Sequence, residues 1–331
     1  MEELLRKLTE TYGPSGSEER VREVIIAEAR GLLDSHSVDA LGNLIVHKKG
    51  DGRGLKVMLA AHMDEIGIIV THIDDKGFLR FQPIGGVNPL TLLGNRVVFA
   101  DGTVGVLGLE KLESNKEVPG LDKFYIDVGA GSKEEIRMRI GDAAGFSRPL
   151  AGAGSRWLAK AMDDRVGCAV ILETLRRLEA SPHDVYAVFT VQEEVGLRGA
   201  QTSAFGVEPD LALAVDVTLT GDTPEAHTMD VALGKGPAIK VKDSRMLAHP
   251  AVKDLLVATA QRIGIPYQLE VLERGTTDAA AIQLTRSGVP TGVVSIPSRY
   301  VHTVSEMVDA ADVENAVRLL TAVLSDPISL G

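Results

Sequence analysis

The residues with most chemical potential in this sequence sit where apolar runs stop. VYAVFTVQEE ends in Glu193 and Glu194, adjacent carboxylates that repel each other and are costly to desolvate without a cation or a proton. LKVMLAAH ends in His62, with Asp64 two residues further on. DLALAVDV delivers Asp216, and TGVVSIPSRYVH runs through a short polar link to His302. WLAKAMDDR sets Asp163 and Asp164 just ahead of a helix that starts at Arg165. Each has an ordinary explanation alone: a solvated strand end, a satisfied histidine, an N-cap aspartate. Five separate segments delivering a His or a carboxylate to the same kind of place call for a common one.

Imidazole nitrogen and carboxylate oxygen are ligands that Zn²⁺ accepts readily, and Co²⁺ and Mn²⁺ tolerate them too. Two His with three carboxylates suit a site for two divalent metal ions, one carboxylate bridging. Two such ions bring four positive charges; three carboxylates offset three, and a bridging hydroxide would take the fourth. Asp64 can reach the second ring N–H of His62 and fix its tautomer. Of the glutamate pair, one can bind metal. The other, turned differently by the loop that Gly196 permits, can serve as general base toward a metal-activated water.

These residues need a scaffold that brings strand ends together. LKVMLAAH (55–62) is a continuous apolar run, the pattern of a strand covered on both faces. Helices are predicted over 2–10 and 17–33 ahead of it. From about 157 onward strands and helices alternate: a helix over 164–179, DVYAVFTV, a short helix near 197–205, DLALAVDV, GPAIKVKD, a helix over 250–263, YQLEVLE, a helix over 277–287, TGVVSI and a helix over 309–325. That alternation predicts an α/β fold with a mostly parallel central sheet and helices on both faces, whose ligand sites lie at the strands' carboxyl ends. Between about 67 and 150 the texture changes to short β runs (IGIIVTHI, GFLRFQPI, NRVVFA, GTVGVLG, KFYIDVG) separated by Gly, Pro and Asp-Gly turns, with SKEEIRMRI breaking the series. The expectation is one discontinuous catalytic domain, residues 1–66 and 157–331, carrying an inserted small β-barrel-like domain over 67–156.

The 331-residue chain carries a net charge of −11, which argues against nucleic acid as a partner because phosphate binding needs clustered Lys and Arg. Its one cysteine, Cys168 in VGCAVILETL, excludes an internal disulfide and a thiolate metal cage. MEELLRKLTETYGPSGSEER is charged and amphipathic without an apolar signal core, and no segment approaches the roughly 20 apolar residues of a membrane span. A cytoplasmic protein that does not engage a membrane is expected.

AHMDEIG (61–67), AMDDRVGC (161–168), VQEEVGLRGA (191–200), the aspartate of AVDVT (214–218) and RYVHT (299–303) occur in the order of one family. The chain resembles the tetrahedral, or deblocking, aminopeptidases, dinuclear-metal metallopeptidases that include glutamyl and leucyl aminopeptidases. TYGPSGSEE (11–19) and TDAAAIQLTRSGVPTGVVSIPSRY (277–300) extend the likeness over nearly the whole chain. The resemblance implies that His62 and Asp216 bind one metal, Glu194 and His302 the other, and Asp163 bridges them. Asp164 takes the variable second place and is no ligand. It makes Glu193 the general base and Asp64 the orienter of His62. It further implies that the β-rich insertion mediates dimerisation, that dimers assemble into hollow tetrahedral dodecamers, and that the substrates are short peptides. The chain departs from the family at RGTTDAAA (274–281), where a glycine-rich stretch is usual, and after His302, where Thr-Val-Ser-Glu lacks an expected proline. Arg274, Lys242 and Arg198 could supply positive charge for an acidic substrate side chain. Two rival functions remain open on the residues: a related dinuclear hydrolase of N-acyl amino acids or peptides, and a non-catalytic, metal-stabilised assembly protein. A glycosidase is discounted because it leaves both histidines unexplained.

Overall fold

The computed structural model describes residues 1–112 and 118–330. Two helices, α1 (Glu2–Glu10) and α2 (Glu19–Glu28), open the chain. The second is shorter than its apolar spacing predicts, because a turn through Gly31, at φ +79°, follows it. A hairpin, β1 (Ser35–Val38) and β2 (Leu44–Lys48), leads into β3 (Lys56–His62). Six strands then form a barrel: β4 (Gly67–Ile73), β5 (Phe78–Ile84), β6 (Arg96–Phe99), β7 (Val104–Leu109), β8 (Phe124–Asp127) and β9 (Ala143–Phe146). After β10 (Ala151–Ala153) and β11 (Arg156–Ala159) come α3 (Met162–Arg177), β12 (Asp184–Thr190), α4 (Arg198–Val207), β13 (Leu211–Thr218) and β14 (Ala238–Lys242). The chain closes with α5 (Pro250–Ile263), β15 (Gln268–Val271), α6 (Ala279–Ile282), β16 (Thr291–Arg299), β17 (Glu306–Asp309) and α7 (Ala310–Ser325). The predicted helix over 277–287 shrinks to the single turn α6: beyond Gln283, Arg286 and Gly288 adopt positive φ and the chain turns back toward β16.

The large sheet has the order β1-β2-β12-β3-β13-β16-β17-β11-β10, with β14 and β15 branching from β16. Its centre, β12-β3-β13-β16, is parallel, and these strands read as unbroken apolar runs because both faces are covered. The helices α3, α5 and α7 pack on one face with α1 and α2 behind, while α4 and α6 cover the other. The margins are antiparallel. Parallel strands all end on one edge, so His62, Thr190 and Thr218 close their strands side by side.

The barrel closes in the order β4-β5-β8-β7-β6-β9 around its own core of Ile68, Val70, Phe81, Val97, Phe124 and Phe146. Its sixth strand, Ala-Ala-Gly-Phe, carries no β-branched residue and therefore gave no strand signal. β10 and β11 belong to the large sheet, where β11 pairs antiparallel with β17.

Candidate metal centre

All five chain segments singled out above converge at the carboxyl edge of the parallel sheet. His62 ends β3, and its Nε2 lies 2.9 Å from Asp163 Oδ1, 3.9 Å from Asp216 Oδ1 and 4.0 Å from Glu193 Oε2. Asp163 faces both imidazoles, since its Oδ2 is 3.3 Å from His302 Nε2. His302 Nε2 is in turn 3.2 Å from Glu194 Oε1. The result is a chain of contacts, Asp216–His62–Asp163–His302–Glu194, in which Asp163 holds the middle. One triad of side chains able to enclose an ion is His62, Asp163 and Glu194; another is His62, Asp164 and Asp216. Both oxygens of Asp164 are already engaged by main chain, accepting from His62 N–H at 3.3 Å and Gly167 N–H at 3.0 Å. Through these two bonds it supports the strand end and the start of the helix.

The local backbone explains why these side chains point inward. Asp163 and Asp164 have non-helical φ/ψ inside the start of α3, so they sit in a kink rather than in a regular first turn. Ala161, Gln192, Leu197, Tyr300 and His302 all have positive φ, between 54° and 61°, in the loops that carry the ligand-type residues. Non-glycine residues hold that conformation only where surrounding contacts impose it. Asp64 imposes part of it: it accepts from Glu193 N–H (3.0 Å), Glu194 N–H (3.2 Å) and the Ser15 hydroxyl (2.6 Å). His62 Nδ1 meets the carbonyl of Asp64 at 3.1 Å and its carboxylate at 3.5 Å, which fixes the ring. Glu18, absent from the sequence reading, accepts from Gln192 N–H at 3.1 Å. The barrel also reaches the centre: an added Cβ on Gly86 would stand 2.4 Å from His302 Nδ1, so only glycine lets that loop lie against the ring.

The electrostatics show too much negative charge in too little water. Burial pushes the carboxyls of Glu193 and Asp216 well above the usual range; repulsion from Asp216 adds to it at Glu193, and repulsion from Asp163 at Asp216. Glu194 is raised for the same first reason, against the opposing pull of the His302 imidazole beside it. Burial lowers the imidazole of His302, but the adjacent carboxylates of Asp163 and Glu194 outweigh it and push it up to about 12. His62 is held well above its ordinary value in the same way by Asp163 and Asp64. Asp163 is the exception among the acids: burial would raise it, yet the two histidines keep it below the usual carboxylate range. Glu194 Oε1 is buried and, despite its proximity to His302, receives no hydrogen bond of sound geometry among the described residues. An orphaned carboxylate oxygen beside imidazole nitrogens fits a divalent cation, which would satisfy the oxygen and take the place of the ring proton on each histidine it binds.

A cleft of about 470 Å³ opens over the centre, with Glu193, Asp163, Asp216 and His302 in its wall. Arg274 reaches this cleft, whereas Lys242 and Arg198 do not line it. Lys242 Nζ donates to the carbonyl of Asp243, and Arg198 donates to Gln192 Oε1. Arg245 and the buried Lys240 line it and were not singled out by sequence. Lys240 pairs with Glu270 at 2.7 Å, each fully buried. No spacing in the sequence links those two residues; only the pairing of β14 with β15 brings them together.

A parallel sheet whose carboxyl edge gathers imidazoles and carboxylates under an open cleft is the architecture of an α/β metallohydrolase. The family model of the M42 glutamyl aminopeptidases matches residues 42–319. A protein of Acetivibrio thermocellus is 52% identical over 323 residues, with 97% of each chain covered. An aminopeptidase from the archaeon Desulfurococcus kamchatkensis superposes with a TM-score of 0.94 at 46% identity, covering 98% of this chain and 94% of that one. The TET1 peptidase of Pyrococcus horikoshii, described as able to assemble into a tetrahedron or a large octahedral shell, gives 0.88 at 36% identity over 98% and 99%. The chain belongs to the M42 glutamyl aminopeptidase family and is an aminopeptidase of the metallopeptidase class. No helix among the described residues is long and apolar enough to cross a membrane.

Proposed function

We propose that this protein is a dinuclear metal aminopeptidase that removes N-terminal residues from short peptides. His62 and Asp216 hold one ion, Glu194 and His302 the other, and Asp163 is shared between them. The observation that carries this reading is the contact chain through Asp163, which has a separate oxygen for each imidazole. When bound, two divalent ions supply Lewis-acid polarisation of the scissile carbonyl and an attacking water of lowered pKa; Zn²⁺ is the expected metal, with Co²⁺ or Mn²⁺ also suited to these donors.

The chain's own residues supply the rest. Glu193 lies beside the ligand set without the hydrogen-bond engagement of Asp164, so it is free to accept a proton from the attacking water and pass it to the leaving amine. Asp64 positions Glu193 and Glu194 through their main-chain N–H groups and orients His62. Arg274 stands in the cleft wall as a charge for an acidic substrate group.

The same proposal makes residues 1–66 and 157–331 the catalytic domain and the insertion 67–156 the dimerisation domain, except that β10 (Ala151–Ala153), paired with β11, goes with the catalytic sheet. Leu90, Leu93, Val104, Val106 and Ile140 are large apolar side chains left exposed on that insertion, which supports its use as a contact surface. Dimers then build a tetrahedral dodecamer, and the cytoplasm, where a single reduced thiol is the ordinary state, is the compartment.

The test is Glu193→Gln. It should retain both ions by elemental analysis and lose turnover of a free-amine aminoacyl p-nitroanilide by about 10²–10⁴-fold. Wild-type turnover in that variant would refute the assignment, and exclusive activity on N-acylated amino acids would refute the substrate class.

A further inference from the structure

Glu306 begins β17 where two ligand-bearing loops diverge. β17 pairs antiparallel with β11, Ala159 standing opposite Glu306. Beyond Ala159 the chain runs through Lys160 to Asp163; before Glu306 it comes from His302. The Glu306 side chain is 2% exposed and lies between these two loops. Its Oε2 accepts from Asp163 N–H at 3.0 Å, and its Oε1 accepts from His302 N–H at 2.7 Å. The side chains of the same two residues meet 3.3 Å apart on the other side, so a single carboxylate closes a ring across the centre. His302 has φ +61°, a conformation that its neighbours must hold in place.

We propose that Glu306 is a positioning residue of the metal centre, one carboxylate that fixes the separation of Asp163 and His302 by binding both main-chain N–H groups. It touches neither substrate nor reacting atoms. The chemistry of the clamp requires the carboxylate specifically: two acceptor oxygens serve two donors. An amide has one acceptor and an NH₂ group, so in Glu306→Gln one main-chain N–H must face another donor, and the loop that carries it must move. Because Asp163 is the ligand shared between ions and His302 belongs to one of them, such a movement loosens that ion more than its neighbour. The inference rests on the dinuclear reading above.

The experiment compares wild type with Glu306→Gln in the assembled protein. Each is stripped with a chelator and titrated with Zn²⁺ against a competing indicator, the thermal midpoint of the stripped protein is recorded, and kcat and KM are measured at limiting and excess Zn²⁺. The expected result is an affinity for the weaker ion reduced about 10–100-fold, the usual cost of losing an outer partner of a ligand. The stripped variant should melt within a few degrees of wild type, and excess Zn²⁺ should restore much of kcat with KM unchanged. Two ions bound at wild-type affinity would overturn the proposal, with or without a fall in the melting temperature, because a purely structural role moves stability and not metal affinity. If Glu306→Gln does not fold, Glu306→Asp carries the same test: it keeps the charge but is too short to span both N–H groups, and wild-type affinity there overturns the clamp. A wild-type protein that takes up no divalent ion defeats the dinuclear reading itself, a different outcome from a clamp that proves dispensable.

Discussion

The buried pair under the cleft allows a sharp stability prediction. Lys240 and Glu270 are both fully buried, 2.7 Å apart, and Glu270 also accepts from the hydroxyls of Thr218 and Ser295, each at 2.6 Å. Breaking a buried pair by removing one partner costs about 3–5 kcal/mol, because the other charge remains desolvated. The two removals differ. Lys240→Met leaves a carboxylate that still has two hydroxyl donors, so its cost falls at about 3 kcal/mol. Glu270→Met strands an ammonium whose nearest remaining carboxylate, Asp243 Oδ2, is 3.9 Å away, and it also removes the acceptor for both hydroxyls. That cost should approach about 5 kcal/mol. In the double variant neither member of the pair is left facing an absent partner; the two hydroxyls lose an acceptor, at about 1–2 kcal/mol together. The order of thermal midpoints should therefore be wild type, double variant, Lys240→Met, Glu270→Met, measured at one protein and metal concentration so that assembly and ligation are held fixed. Additive losses, with the double variant melting below either single one, would refute the reasoning, since they would mean the two charges are not coupled.

Two further outcomes follow from the supports of the glutamate pair. Asp64→Asn replaces a carboxylate serving two main-chain N–H groups by an amide with one acceptor, so Zn²⁺ affinity should fall about 10–100-fold, read by chelator competition. Glu18 is raised to about 7, first by burial and then by Asp64; a folded pKa above the unfolded value near 4.5 means that its ionisation opposes folding as pH rises from about 4.5 through 7. One oxygen, Oε1, takes both of its main-chain bonds, so Glu18→Gln can keep them. The variant should match wild type at pH 4.5 and melt higher at pH 8; an equal difference at both pH values would sink the linkage.

The centre was legible because its residues lie at strand ends, and a strand end is marked in sequence by the abrupt stop of an apolar run. His62, Glu193 and Asp216 show that signature directly. Their supports do not. Asp64 shows only through its spacing from His62, while Glu306 and Glu18 act by accepting main-chain N–H groups of other loops, and an acid doing that looks like any other acid. Lys240 and Glu270 occupy strand positions that alternate as a solvated face would, and only the fold shows that the face is buried. The barrel's five apolar strands announced themselves, whereas Ala143–Phe146 is recruited by its neighbours β4 and β6 rather than by its own propensity. The short α6 is the converse: its alanines favour a helix longer than the turn at Arg286 and Gly288 permits.

The barrel's place in the chain bears on how the protein reaches its folded form. β3 must find β12 as its parallel partner, and the whole insertion lies between them. Within the barrel, Gly67 pairs with Gly145, so the points where the chain enters and leaves become neighbours once its strands join. For the sheet still to form, that shortens the loop to be closed roughly threefold, an entropic saving of about 1 kcal/mol. Assembly of the barrel ahead of the sheet would thus quicken the slowest kind of pairing, that between parallel strands far apart in sequence. His302, the last of the proposed ligands in chain order, joins the others only once β16, which leads to it, has paired with β13.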